Sequence, residues 1–285
     1  MTAASSPSTL VIHSGGIGDF LLMCPSLVGL GGAGLVEVAG RLERVQLAVA
    51  GGLARKAHDL DALDFASIFS SPSVRLRRSL APFERVVVWM RDDEGLIHSG
   101  LSEAGVRDVR VFPGLPPAGW RAHASEYYLD CLGGNRDRIR SPLLSVPPAP
   151  TQRDVIVHCG SGGTTKNWPL ERYVATAQRL AQLGRSVTWC VGPAENSIRL
   201  PSDASVIRVD ALTELAAILA AATLYIGNDS GISHLAAAVG CPAVVIFGPT
   251  EATLWAPMGE CVRVVQGAPW PSVDDALEAV HSILG

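Results

Sequence analysis

YIGNDSGISHLAAAVGCPAVVIFGPT, residues 225–250, decides the fold. It opens on the end of an apolar strand, TLYIG (223–227), and passes Asp229 or Ser230 as a helix cap. A helix is predicted over Ser230–Val239, Gly240 closes it, and five apolar residues follow at Ala243–Phe247. Strand, capped helix, glycine stop and strand make one βαβ unit, whose two strands must run parallel.

The same rhythm continues on both sides. Upstream, Asp154–Cys159 reads as a strand, Pro169 takes the first position of a helix that runs to about Leu183, and Ser186–Val191 is the next strand. Thr213 is expected to cap the helix TELAAILAAA, and Asp274–Leu284 to form a terminal helix. In the first half, Leu10–Ser14 reads as a strand and Asp19–Leu30 as a helix kinked or shortened at Pro25. Val45–Ala50, Arg85–Met90 and Val109–Phe112 are further strand candidates, with a helix at His123–Cys131, while Gly51–Leu80 gives no clear pattern. Between the halves, Pro142, Pro147, Pro148 and Pro150 crowd into SPLLSVPPAPTQR, which suits an extended linker. The prediction is an α/β chain of two Rossmann-like domains, 1–148 and 149–285, with parallel sheets facing a central cleft.

Composition narrows the function classes. The chain has 285 residues, 48% hydrophobic and 18% charged, enough to bury a substantial core. A net charge of −4 carries no concentrated basic surface for nucleic acid. Mean hydropathy is positive, yet the most apolar stretch, Leu235–Phe247, is interrupted by Gly240 and Pro242 and falls short of the roughly 20 residues that span a bilayer. The N-terminus has neither a basic n-region nor a long apolar core, so a cytoplasmic protein is expected. Cysteines 24, 131, 159, 190, 241 and 261 stand singly and read as reduced thiols.

Three segments carry chemistry, each where a strand runs out into a helix. HSGGIGDF (13–20) places Asp19 at a helix start, either as a helix cap or as a general base. HCGSGGTTKNWP (158–169) combines free amides, Thr164, Thr165 and Lys166 ahead of a helix, a setting that binds anions. Thr165 and Asn167 flank Lys166 where a Walker A loop needs Gly and Ser or Thr, which disfavours a nucleotide triphosphatase. In the third, GNDSGISH (227–234), Gly231 lets a phosphate approach the first helical amides. Asp229 suits a cap, a partner for Lys166, or an acceptor for a sugar hydroxyl. Ser230 and His234 share a helical face, but no GxSxG elbow supports a nucleophile, and His234 can equally be structural. RDDE (91–94) superficially looks like a metal-binding DxD and reads better as a solvated acidic turn, so no metal ligands are expected.

Together, GIGDFLLMCPSL, GGTTKNWPLERYVATAQRL and GNDSGISHLAAAVGCPAVVIFGPT resemble, in order and spacing, the heptosyltransferases of glycosyltransferase family 9. The resemblance covers residues 10–27 and 154–258 and is poor between about 30 and 145. It implies a GT-B fold and metal-independent, inverting transfer of a sugar from a nucleoside-diphosphate sugar, ADP-heptose in that family, to a glycan or lipopolysaccharide-type acceptor. By the same resemblance Asp19 is the base, Lys166 binds the diphosphate and offsets leaving-group charge, and Thr164 and Thr165 contact phosphate. Asp229, Ser230, Gly231 and His234 form the donor loop, while His13, Gly16 and Gly18 are candidates for the acceptor side. No cofactor beyond the nucleotide-sugar co-substrate is implied, and membrane contact is at most peripheral, through the acceptor at the inner face. The chain departs from the family at His13, where a basic residue is usual, and in its compact N-terminal half. An acceptor-independent epimerase or hydrolase of the same fold, or a non-catalytic nucleotide-sugar binder, are the alternatives.

Overall fold

The computed structural model describes residues 8–134, 143–192, 195 and 198–285. The chain divides into two compact units, Met1–Ile139 and Arg140–Gly285.

The first unit runs β1 (Thr9–His13), α1 (Ile17–Met23), α2 (Pro25–Gly29), β2 (Val36–Gly40), α3 (Leu42–Ala50), β3 (Lys56–Asp59), α4 (Val74–Leu80), β4 (Arg85–Trp89), α5 (Leu96–Glu103), β5 (Asp108–Phe112) and α6 (Ala124–Asp130). All strand pairs are parallel, in the order β3-β2-β1-β4-β5. Leu10, Ile12, Val86 and Val88 alternate onto one face and pack with Ile97 and Leu101 of α5, so helices bury a sheet that is apolar along its central strands. At Pro25 the helix is shortened, as expected: α1 ends at Met23, and Cys24 separates it from α2, which begins at the proline.

One expectation fails here. Val45–Ala50 is not a strand but the end of α3, with Val45 and Ala48 buried one turn apart. The strand lies just upstream in β2, where Glu37 breaks the apolar run. That glutamate is buried and paired with Arg55 at 2.5 Å and with His58 Nε2 at 2.5 Å. These partners hold its carboxyl below the ordinary range despite burial.

The second unit runs β6 (Arg153–His158), α7 (Leu170–Gln182), β7 (Val187–Val191), β8 (Ser205–Arg208), α8 (Leu212–Ala220), β9 (Ala222–Asn228), α9 (Gly231–Ala238), β10 (Ala243–Phe247), α10 (Ala252–Trp255), β11 (Val262–Gln266) and α11 (Val273–Leu284). Its sheet is again parallel, ordered β11-β10-β9-β6-β7-β8. Val155, Val157, Leu224, Ile226, Val244 and Ile246 build the core with Trp168, Tyr173 and Leu180. Pro169 is the cap of α7 and not its first residue, and Ala211 rather than Thr213 precedes α8. Of the proline-rich run, Pro142 lies outside the described residues. Leu144 and Ala149 donate their amides to the carbonyls of Ala238 and Ala217.

Candidate functional site

In each sheet the strand order reverses beside one central strand, between β1 and β4 in the first and between β6 and β9 in the second. Loops at the carboxyl ends of strands flanking such a reversal are where doubly wound sheets bind ligands. All three segments singled out from the sequence leave these strands: Gly15–Asp19 follows β1, Cys159–Lys166 follows β6, and Asp229–Ser230 follows β9.

Pairing of β6 with β9 sets His158 opposite Gly227, and so brings together residues far apart in the chain. Lys166 closes a short 3₁₀ turn, Thr164–Lys166, with Thr164 and Thr165 exposed. Its Nζ donates to Asp229 Oδ2 at 2.8 Å; the lysine side chain is 40% exposed and the aspartate 7%. Asp229 is therefore the partner of Lys166. Ser230 caps α9 by accepting the Ser233 amide, leaving the Gly231 and Ile232 amides in the first turn. Ser233 in turn gives its hydroxyl to the Asn228 carbonyl at 2.5 Å. His234 is buried one turn into α9.

Asn228 was not singled out from the sequence, yet it ties the two loops together. Its Oδ1 accepts the Trp168 amide and the Tyr173 hydroxyl, both at 2.8 Å. Its Nδ2 donates to the Cys159 carbonyl at 2.9 Å and lies 3.3 Å from that of Gly160. The side chain is fully buried and bonded on both ends, the condition under which a buried amide is tolerated. Its only sequence signal was a polar residue ending an apolar strand. Ser161 braces the same turn, its hydroxyl 2.7 Å from the Gly163 carbonyl and 2.6 Å from Asn167 Oδ1.

Beneath the glycine-rich turn lies a second pair that sequence reading missed. His158 Nε2 sits 3.6 Å from Glu195 Oε1, both side chains 5% exposed. Glu195 also accepts the Gly192 amide at 2.7 Å, and these contacts, the His158 bond first, hold its carboxyl below the usual range. A side chain at Gly160 would run into that carboxylate, so the close approach requires glycine there.

In the first unit, Gly16 precedes α1, and its amide donates to Asp19 Oδ2 at 3.0 Å. Gly18 lies in the first turn of that helix. Gly16 and not Asp19 is therefore the N-cap; Asp19 is the third helical residue and reaches back to the cap amide with one oxygen. The other is unbonded among the described residues, so this bond leaves an oxygen for the catalytic reading. His13 is 3% exposed, packed against Phe20 and Tyr128 with ring centroids 5.7 Å and 6.3 Å away. Burial, helped by the Arg44 guanidinium, pushes its imidazole down to about 4, and Nδ1 accepts the Gly15 amide at 3.2 Å. The Tyr128 phenol is pushed up, by burial first and by the Asp19 charge second.

RDDE proves structural at Asp92, whose two oxygens accept the Ile97 and His98 amides at the start of α5. Among the described residues no group of three His, Cys, Asp or Glu side chains is placed to hold a metal ion, and no helix is long and apolar enough to cross a membrane. All six cysteines are free.

Residues 140–277 match the model of glycosyltransferase family 9 (heptosyltransferase). The lipopolysaccharide heptosyltransferase 1 of Pseudomonas aeruginosa is 31% identical over 173 residues, 54% of this chain and 48% of that protein. The chain therefore spans about half the length of the curated relative it matches. A family 9 glycosyl transferase from Veillonella parvula has the same fold at TM-score 0.77, with 16% identity over 99% of this chain and 98% of that one. An E. coli ADP-heptose lipopolysaccharide heptosyltransferase II follows at TM-score 0.71, 17% identity, and 97% and 98% coverage. With two parallel Rossmann-like sheets, the chain shares the GT-B-type fold of these structures, and its second unit matches the glycosyltransferase family 9 domain.

Proposed function

We propose that this protein is an inverting heptosyltransferase that moves a heptose from ADP-heptose to a hydroxyl of a lipopolysaccharide-type acceptor. The observation that carries the reading is the Lys166–Asp229 pair beside the N-terminus of α9, at the carboxyl ends of β6 and β9. Lysine charge and helix-start amides together suit a diphosphate. The donor's sugar and base follow the name of the E. coli structural relative.

In the reaction, the acceptor hydroxyl attacks the anomeric carbon while its proton passes to Asp19. The carbon–oxygen bond to the diphosphate breaks, and ADP leaves with its charge offset by Lys166, the α9 amides and the Thr164 and Thr165 hydroxyls. Such pre-placed positive charge does the work that a divalent cation performs in other transferases. Asp229 and His234 line the donor loop, and the buried pair of His158 and Glu195 supports the turn that carries Lys166.

The test is ADP release from ADP-heptose with and without heptose-free lipopolysaccharide. Acceptor-dependent release is expected; release without acceptor favours hydrolysis, and stabilisation by ADP without turnover favours a non-catalytic binder. Asp19→Asn should lower transfer by about 100-fold or more, the low end of what a general base supplies, with ADP affinity within about threefold. Unchanged turnover in that variant removes Asp19 as the base.

A further inference from the structure

Arg44 has no role in the reaction described above, yet its guanidinium is turned onto the Asp19 loop. It comes from α3, and its Nη1 donates to the Gly15 carbonyl at 2.5 Å. That carbonyl belongs to the peptide joining Gly15 to Gly16, and the N–H of the same peptide is the one bonded to Asp19 Oδ2 at 3.0 Å. A single planar unit therefore lies between guanidinium and carboxylate. A cation on the carbonyl oxygen polarises the amide and makes its N–H a stronger donor. Glu43, 3.9 Å from Arg44 Nε and 57% exposed, is too solvated to cancel that charge.

The rest of the loop leaves this peptide little freedom. The Gly15 amide is taken by His13, and a side chain at Gly15 would lie 2.7 Å from His13 Cε1 and 3.1 Å from Asp19 Cβ. With Oδ2 bound to the clamped peptide, Oδ1 is the oxygen without a bond among the described residues.

We propose that Arg44 is a positioning residue for Asp19: acting through the Gly15–Gly16 peptide, it fixes the carboxylate so that Oδ1 is the oxygen presented to the acceptor hydroxyl. This rests on Asp19 being the base.

The experiment compares full-length wild type, Arg44→Ala, Arg44→Lys and Asp19→Asn. It measures ADP release from ADP-heptose with heptose-free lipopolysaccharide, and amide hydrogen exchange at Gly15 and Gly16. Arg44→Ala should lower kcat about 10- to 100-fold, the worth of one charge-assisted bond, with donor KM changed less than about twofold and Gly16 exchange accelerated. Arg44→Lys, which keeps a charged donor, should recover most of kcat. If the alanine variant does not fold, Arg44→Gln carries the same comparison. Wild-type kcat or unchanged Gly16 exchange in Arg44→Ala overturns the proposal, as does a loss expressed only in KM and not recovered by lysine. Loss of transfer in Asp19→Asn beside full activity in Arg44→Ala sinks the Arg44 role alone. Full transfer in Asp19→Asn sinks the base reading, and the role of Arg44 with it.

Discussion

With its pKa near 4, His13 is neutral at pH 7, and because Nδ1 accepts the Gly15 amide its proton sits on Nε2. That nitrogen is buried with no hydrogen-bond partner, so charging the ring is costly. The unfolded chain binds the proton near 6.5 and the folded chain only near 4. Stability from this residue is therefore complete above about 6.5 and is lost as pH falls toward 4, by on the order of 3 kcal/mol. Urea midpoints measured from pH 7.5 to 4 should fall in wild type and fall much less in His13→Asn. Parallel profiles would rule out His13 as the source. Asp19 and Lys166 could be singled out from the sequence because each lies at the end of a glycine-rich segment that follows an apolar strand. Arg44 was not, since its partner is a backbone carbonyl 29 residues away that only the packing of α3 brings near.

Among elements, the second sheet was easier to read than the first. β10 is apolar throughout and β9 is buried along nearly all its length, so both announce themselves, whereas β2 hides behind Glu37, whose burial depends on Arg55 and His58 from outside the strand. The other strands no pattern disclosed, β3, β8 and β11, lie at sheet edges with side chains at most partly buried but for Val265, where burial imposes little periodicity. Asn228 shows what an element's last residue can decide. Its four contacts join β9 to the turn after β6 and to the start of α7. Asn228→Ala should cost about 3 kcal/mol or more, since it strands the buried Trp168 amide, the Tyr173 hydroxyl and the Cys159 carbonyl. Denaturant unfolding checks this, and a loss under about 1 kcal/mol would show that the loops hold without it.

At the scale of the whole chain, each unit has its own sheet and its own buried core, and the residues proposed to bind the diphosphate all belong to the second. ADP at saturation should therefore slow amide exchange at residues 159–168 and 228–234 while leaving Gly15–Asp19 unchanged; equal protection of both segments would contradict that division. The pairing of Lys166 with Asp229 has a consequence for the catalytic cycle as well. Lys166 keeps a resident counter-ion when no nucleotide is bound, so an incoming diphosphate exchanges one anion for another instead of meeting a bare cation. In the proposed reaction the same exchange would run backwards after transfer: as ADP departs, Asp229 would reclaim the ammonium and leave no uncompensated charge behind. On that proposal, affinity for the spent nucleotide is capped and the site resets itself for the next donor.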